Sequence, residues 1–129
     1  MFFTARGVWV SRLSDEEIFQ QLGNIVTNFE LYKCDECAVA VMRWLQDNNI
    51  EGRVIKLQTA YGEDYILSTR LINQGINSSI TLNGIHYAVE VRGKVFDNLS
   101  TEGLTYEDWK NDFDSPSGEF IIDYANGFI

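Results

Sequence analysis

Hydrophobic side chains recur at helical spacing in two segments of the first half of the chain. The first segment opens with Ser14-Asp15-Glu16-Glu17, a capping box in which Ser14 caps the helix and Glu17 reaches back. The apolar periodicity that follows predicts a helix from Asp15 to about Asn28. In the second segment, acidic Asp35 and Glu36 suit a first turn, because the helix dipole favours anions there. One apolar stripe then continues toward a stop signal at residues 48–52, and it consists of Ala38, Val41, Met42 and Leu45.

The second half of the chain has the shorter patterns of β-strands. Residues 53–59 form one predicted strand, and residues 85–91 and 95–99 form a hairpin around Arg92-Gly93-Lys94. Other predictions are a short edge segment at 65–67, a loop at 73–79, a short helix capped by Thr105 and a last strand at 120–122. Helices that precede strands predict an α+β fold, with N-terminal helices packed on an antiparallel β-sheet.

Composition and charge narrow the classes of protein. The 129 residues are 45% hydrophobic, which favours a single domain over 1–129. The net charge is −9 and no basic cluster occurs, so we expect no nucleic-acid and no membrane partner. The acidic residues concentrate between Glu102 and Asp123, as a solubilising surface or as a dock for a basic partner. The start of the chain lacks the marks of a secretory signal, which predicts a cytoplasmic location.

The only histidine of the chain lies in the predicted hairpin, opposite Asp97 and Asn98. Side chains alternate between the two faces of a strand. With a two-residue turn, His86 and Asp97 share a face, whereas a three-residue turn would bring Asn98 to that face instead. Either partner would fix the tautomer of His86 and leave its second nitrogen available as a general base.

The two cysteines, Cys34 and Cys37, lie at the predicted start of the second helix. A helix N-terminus and a nearby imidazolium both lower the pKa of a thiol, which makes a better nucleophile. Cysteine, histidine and a carboxylate are together the parts of a thiol hydrolase. The alternative that uses the same side chains is a structural zinc site, although a second metal-binding motif is missing. We therefore expect no metal and no other cofactor.

Several pieces of the sequence together resemble the papain fold toxin 2 domain of bacterial polymorphic toxin systems. They are Lys33-Cys34-Asp35-Glu36-Cys37-Ala38, Asn83-Gly84-Ile85-His86, Val95-Phe96-Asp97-Asn98-Leu99 and Trp109. The resemblance spans about residues 15–113 and implies a papain-like core. It also implies a cysteine peptidase or a glutamine deamidase that acts on a protein substrate, with an immunity protein as a partner.

Carried onto this chain, the resemblance implies Cys34 or Cys37 as nucleophile, His86 as base and Asp97 as the residue that orients it. A helix start at 33–35 favours Cys34, whereas alignment with the two-cysteine motif of plant papains favours Cys37. No glutamine stands just ahead of the cysteines to build an oxyanion hole, so Asn28 or the backbone N–H groups of the helix start are the candidates. Trp109 is a candidate wall of the substrate cleft. The alternative to an enzyme is a binding module that keeps the fold without turnover.

Overall fold

The computed structural model describes residues 2–3, 9–10 and 13–125 and centres on a five-stranded antiparallel sheet whose one face is covered by the two N-terminal helices. The helices are α1 (Asp15–Val26), α2 (Cys34–Asp47), α3 (Thr69–Asn73) and α4 (Tyr106–Lys110). The strands are β1 (Phe2–Phe3), β2 (Trp9–Val10), β3 (Arg53–Thr59), β4 (Leu67–Ser68), β5 (Ile85–Val91), β6 (Lys94–Asp97), β7 (Ser100–Leu104), β8 (Phe113–Asp114) and β9 (Phe120–Tyr124). This arrangement is of the α+β class, as the sequence predicts.

The large sheet has the strand order β7-β6-β5-β3-β9, and short pairs β1-β2 and β4-β8 accompany it. Helix α2 packs against β5, and α1 packs against β7. The close approach of α1 to β7 depends on Gly23, because a Cβ atom there would lie 2.1 Å from the backbone oxygen of Thr101. The two N-terminal helices therefore cover one face of the sheet.

Strand alternation divides the hydrophobic core between the two faces of the sheet. Val54 and Val89 face α1 and α2, where they join Ile18, Leu22, Val41 and Leu45. Ile55 and Ala88 face the opposite side, where a second cluster is built by Leu57, Ile66, Leu71, Ile80, Val95, Trp109 and Phe113. This second cluster is covered by the segments around α3, α4 and β8, and it surrounds the histidine described below.

The central hairpin has a two-residue turn. Val91 pairs with Lys94, and the two turn residues, Arg92 and Gly93, both have positive φ, 49° and 83°. Such a turn twists in the same sense as the strands that it joins. Lys94 thus belongs to β6 and not to the turn, and Leu99 lies beyond the end of β6. These are corrections at the ends of a hairpin whose first strand matches the predicted bounds.

Several observed elements are absent from the sequence-based prediction, among them β7 and α3. Strand β7 contains Gly103 and few apolar residues, so its sequence pattern does not predict a strand. Helix α3 precedes the predicted 73–79 loop, and Ser68 caps it by accepting a hydrogen bond from the N–H of Leu71. The segment 1–6, in which a secretory signal was sought, lies mostly outside the described residues. In the described part of the chain, no helix has the length and apolar character needed to cross a membrane.

Candidate active site

Cys34 is the first residue of α2, and Cys37 lies one turn further into the same helix. Lys33 is the N-cap and makes no side-chain capping bond. Cys34 is 8% exposed to solvent, whereas Cys37 is only 1% exposed. The unpaired N–H groups of a first helical turn carry partial positive charge, which favours a thiolate at Cys34.

His86 lies near the start of β5, and Asp97 ends β6. The register of the hairpin, Val89 with Phe96, brings both side chains to the same face of the sheet. The Nε2 atom of His86 lies 2.9 Å from the Oδ2 atom of Asp97, and both side chains are fully buried. Of the two partners that the sequence left open for His86, the two-residue turn therefore selects Asp97.

The carboxylate of Asp97 is held by several donors. Its Oδ2 atom also accepts the indole N–H of Trp109 at 3.0 Å. Its Oδ1 atom accepts the backbone N–H of Leu99 and the hydroxyl of Ser100, each at 3.0 Å. Burial alone would raise the pKa of Asp97, but the hydrogen bond and charge of His86, with help from Arg70 and Trp109, outweigh burial and hold it at about 2. Asp97 is therefore an anion throughout the physiological pH range.

The thiol of Cys34 faces the same imidazole. Since Nε2 of His86 is engaged by Asp97 and Nδ1 has no hydrogen-bond partner within normal distance and angle, Nδ1 is the nitrogen left for Cys34. Burial opposes ionisation of Cys34, yet interaction with His86 lowers the pKa of the thiol below its ordinary value. Conversely, burial would lower the pKa of His86, but Asp97 and Cys34 raise it to about 9. The contact between the two groups therefore favours ionisation of the Cys34 thiol and protonation of His86.

The pKa of the second cysteine, Cys37, is shifted in the opposite direction. Burial raises the pKa of Cys37 to about 12, and the nearby charges of Asp97 and Cys34 act in the same direction. A thiol with this pKa is protonated and a poor nucleophile at neutral pH. The structure thus separates two cysteines that the sequence could not rank firmly.

A cavity of about 220 Å³ opens beside Cys34. Tyr32, which has a positive φ of 72°, and Leu82, which is 74% exposed, stand on its lining. A broader depression shares Asp35, Asn83 and Tyr87 with this cavity and continues over the first turns of α2. Together they form a trough that Cys34 lines, whereas His86 and Asp97 are buried and do not line it.

The remaining residues that the sequence singled out have other positions. Asn28 is exposed, and its amide donates to the carbonyl oxygen of Asn24 in α1 at 3.2 Å. The amide of Asn98 donates to the carbonyl oxygen of Glu30 at 2.8 Å, so Asn98 does not orient His86. Trp109 is completely buried and touches Asp97, which corrects the expectation that it lines the cleft. The large indole ring and its position on α4, which is capped by Thr105, place Trp109 in the core instead.

The arrangement of the potential donor groups does not match a zinc site. In the described ranges, no three His, Cys, Asp or Glu side chains are grouped so that they could hold a metal ion. The carboxylate of Asp97 is already occupied by four protein donors.

Sequence reasoning missed Arg70 and Asp112, two charged groups close to the site. The Nη2 atom of Arg70 lies 4.0 Å from Oδ2 of Asp97, and its Nε atom lies 3.0 Å from Oδ2 of Asp112. Neither residue belongs to a motif, and their approach to Asp97 depends on how α3 and the α4–β8 segment pack over the sheet. The Ser68 cap before Arg70 is a local signal that could have placed α3.

Fold and site together define a papain-like domain, with a cysteine at a helix N-terminus facing a histidine on an antiparallel sheet. The chain belongs to the papain fold toxin 2 family, whose model matches residues 17–114, from α1 to β8. No curated protein and no solved structure matches the chain at a significant level.

Proposed function

We propose that this domain is a cysteine hydrolase that attacks a carbonyl or carboxamide group of a protein substrate, with Cys34 as nucleophile. The observation that carries the proposal is the buried His86, whose Nε2 atom lies 2.9 Å from Asp97 and whose Nδ1 atom is left for the neighbouring thiol of Cys34. Asp97 orients the ring through Nε2 and stabilises its protonated form. The remaining nitrogen is then free to exchange a proton at the reacting atoms.

In the first step the thiolate of Cys34 forms a bond to the carbonyl carbon of the substrate. The oxygen becomes an oxyanion, for which backbone N–H groups at the start of α2 are candidate donors. His86 gives its proton to the leaving nitrogen, which departs as an amine or as ammonia. A water molecule, deprotonated by His86, then cleaves the thioester and restores the thiolate.

Peptidase and glutamine deamidase activities share these steps and differ only in the group that leaves. In line with its family, we propose a protein as substrate and an immunity protein as partner. The reaction needs a reduced thiol, so we place its action in a reducing compartment such as the cytoplasm of a target cell. New N-termini in a treated proteome would indicate a peptidase, and release of ammonia with conversion of glutamine to glutamate would indicate a deamidase.

Alkylation by iodoacetamide at neutral pH tests the nucleophile. We expect rapid labelling of Cys34, unchanged in Cys37→Ser and absent in Cys34→Ser. In His86→Ala the labelling rate should fall about tenfold or more, because an unassisted thiol is only a few per cent ionised at pH 7. Slow labelling of both cysteines that ignores the loss of His86 would refute the hydrolase and favour a binding module without turnover.

A further inference from the structure

Arg70 and Asp112 extend the site into a row of alternating charges. The order is Cys34, His86, Asp97, Arg70 and Asp112, with the contacts between Asp97 and Arg70 and between Arg70 and Asp112 at 4.0 and 3.0 Å. The side chain of Arg70 is 25% exposed, and that of Asp112 is 4% exposed. The guanidinium thus bridges two buried carboxylates, one of which holds the catalytic imidazole in the proposed mechanism.

Asp112 is itself fixed by its surroundings. Its Oδ1 atom accepts the backbone N–H of Arg70 at 2.9 Å, and its Oδ2 atom accepts the hydroxyl of Ser68. Its backbone oxygen accepts the N–H of Thr69 at 2.8 Å. Because these contacts anchor the first turn of α3 to Asp112, the guanidinium is presented to Asp97 from a defined direction.

We propose that Arg70 is a positioning residue that acts through Asp97, holding its carboxylate ionised and turned toward His86, with Asp112 setting the strength of that effect. A cation near a site favours the ionised form of an acid and disfavours protonation of a base. Arg70 therefore favours the thiolate of Cys34 and makes the imidazolium of His86 a readier proton donor. Asp112 opposes both effects because it neutralises part of the charge of Arg70.

The groups whose charges interact with Cys34, His86 or Asp97 come from each element packed on the site. They are Asp35 and Cys37 on α2, Tyr87 on β5 and Arg70 on α3, with Asp112 acting through Arg70. Among these, Arg70 is the cation. Removal of Arg70 should therefore raise the pKa values of the site's groups, and removal of Asp112 should lower them.

The test measures the pH at which Cys34 becomes reactive toward iodoacetamide in otherwise unchanged protein. In Arg70→Met the midpoint should rise by about 0.5 to 1 pH unit, which is smaller than a fully buried charge would cause because Arg70 is partly exposed. In Asp112→Asn the midpoint should fall. Arg70→Lys, which keeps the charge, should stay close to the wild type.

Lys110→Met is the matched control, since it removes one positive charge from an exposed position on the neighbouring helix α4. We expect it to leave the midpoint unchanged. Loss of stability without opposite shifts in Arg70→Met and Asp112→Asn would assign these residues a structural role only and overturn the inference. If a variant does not fold, as judged by circular dichroism, the remaining variants decide the direction of the shift.

This inference rests on the proposed use of Cys34, but the two fail in different ways. Slow labelling of the wild-type protein that is independent of His86 refutes the proposed function. Rapid, His86-dependent labelling with an unchanged midpoint in Arg70→Met and Asp112→Asn refutes only the role of Arg70.

Discussion

The indole N–H of Trp109 donates a hydrogen bond to the same oxygen of Asp97 that contacts His86, at 3.0 and 2.9 Å. The Trp109 ring also lies roughly parallel to the imidazole, with 6.5 Å between the ring centroids. One buried tryptophan therefore touches both the carboxylate and the histidine. Since Trp109 is fully buried, we expect it to hold the geometry of this pair and not to line the trough.

Replacing Trp109 by Phe should therefore weaken the site and the fold together. The variant keeps an aromatic ring but leaves a buried carboxylate without one donor, which costs about 1 to 3 kcal/mol. We expect a lower midpoint in urea unfolding and slower labelling of Cys34. Trp44→Phe removes the same atoms from a half-buried site on α2 and should not change the labelling rate. Unchanged stability and labelling in Trp109→Phe would show that the indole bond is dispensable.

The titration of His86 makes the stability of the fold depend on pH. Its pKa rises from 6.5 to about 9 on folding, so its contribution is fully present below pH 6.5 and is lost as the pH passes through the folded value. The lowered pKa of Cys34 acts with the opposite sign, because a thiolate pair stabilises the fold as the pH rises.

The variant Cys34→Ser isolates the histidine. We expect its free energy of unfolding, measured in urea, to fall as the pH rises above 6.5. Adding His86→Gln should flatten this dependence. An equally steep decline in the double variant would show that another group is responsible.

Gly23→Ala distinguishes helix propensity from tertiary packing. On a helix surface, alanine would stabilise α1 by about 1 kcal/mol relative to glycine. Here the new Cβ atom would lie 2.1 Å from the backbone oxygen of Thr101, so α1 must move away from β7. We expect a net loss of about 1 to 3 kcal/mol, as for overpacked cores. Asn24 is exposed and lies next to Gly23, so Asn24→Ala is the control. We expect it to leave the thermal unfolding temperature unchanged or to raise it.

Asn98 links the end of the hairpin to the segment before α2 through the carbonyl oxygen of Glu30, at 2.8 Å. Since Cys34 follows that segment, loss of this bond should loosen its placement against His86. We expect Asn98→Ala to slow labelling of Cys34 several-fold and to cost about 1 kcal/mol of stability.

Asn28→Ala serves as the comparison, because the amide of Asn28 bonds back to the last turn of α1, which it follows. Its labelling should match the wild type. A loss of substrate turnover with unchanged labelling would instead support the oxyanion role that the sequence suggested. If Asn98→Ala also labels normally, the link to Glu30 does not position the nucleophile.

Local patterns predicted the parts of the site that lie close in sequence. His86 and Asp97 are eleven positions apart on one hairpin, so strand alternation limited the partner of His86 to Asp97 or Asn98, and the turn length in the structure selected Asp97. The capping box at Ser14 and the acidic first turn of α2 likewise depend on near neighbours. Strand β7 was missed because its stability comes from pairing with β6 and from packing under α1, neither of which a five-residue pattern reveals.

The sequence by itself determined the α+β class, the two N-terminal helices, the hairpin and a short set of chemical candidates, since each depends on spacing along the chain. Only the tertiary structure decided that Cys34, which is less deeply buried than Cys37, lies beside His86. It also decided that Trp109 and Arg70 lie against Asp97 and that Asn98 faces elsewhere. The physical reason is that burial and charge at these positions come from segments far apart in sequence. Their effect on a thiol or a carboxylate exists only once the chain has packed.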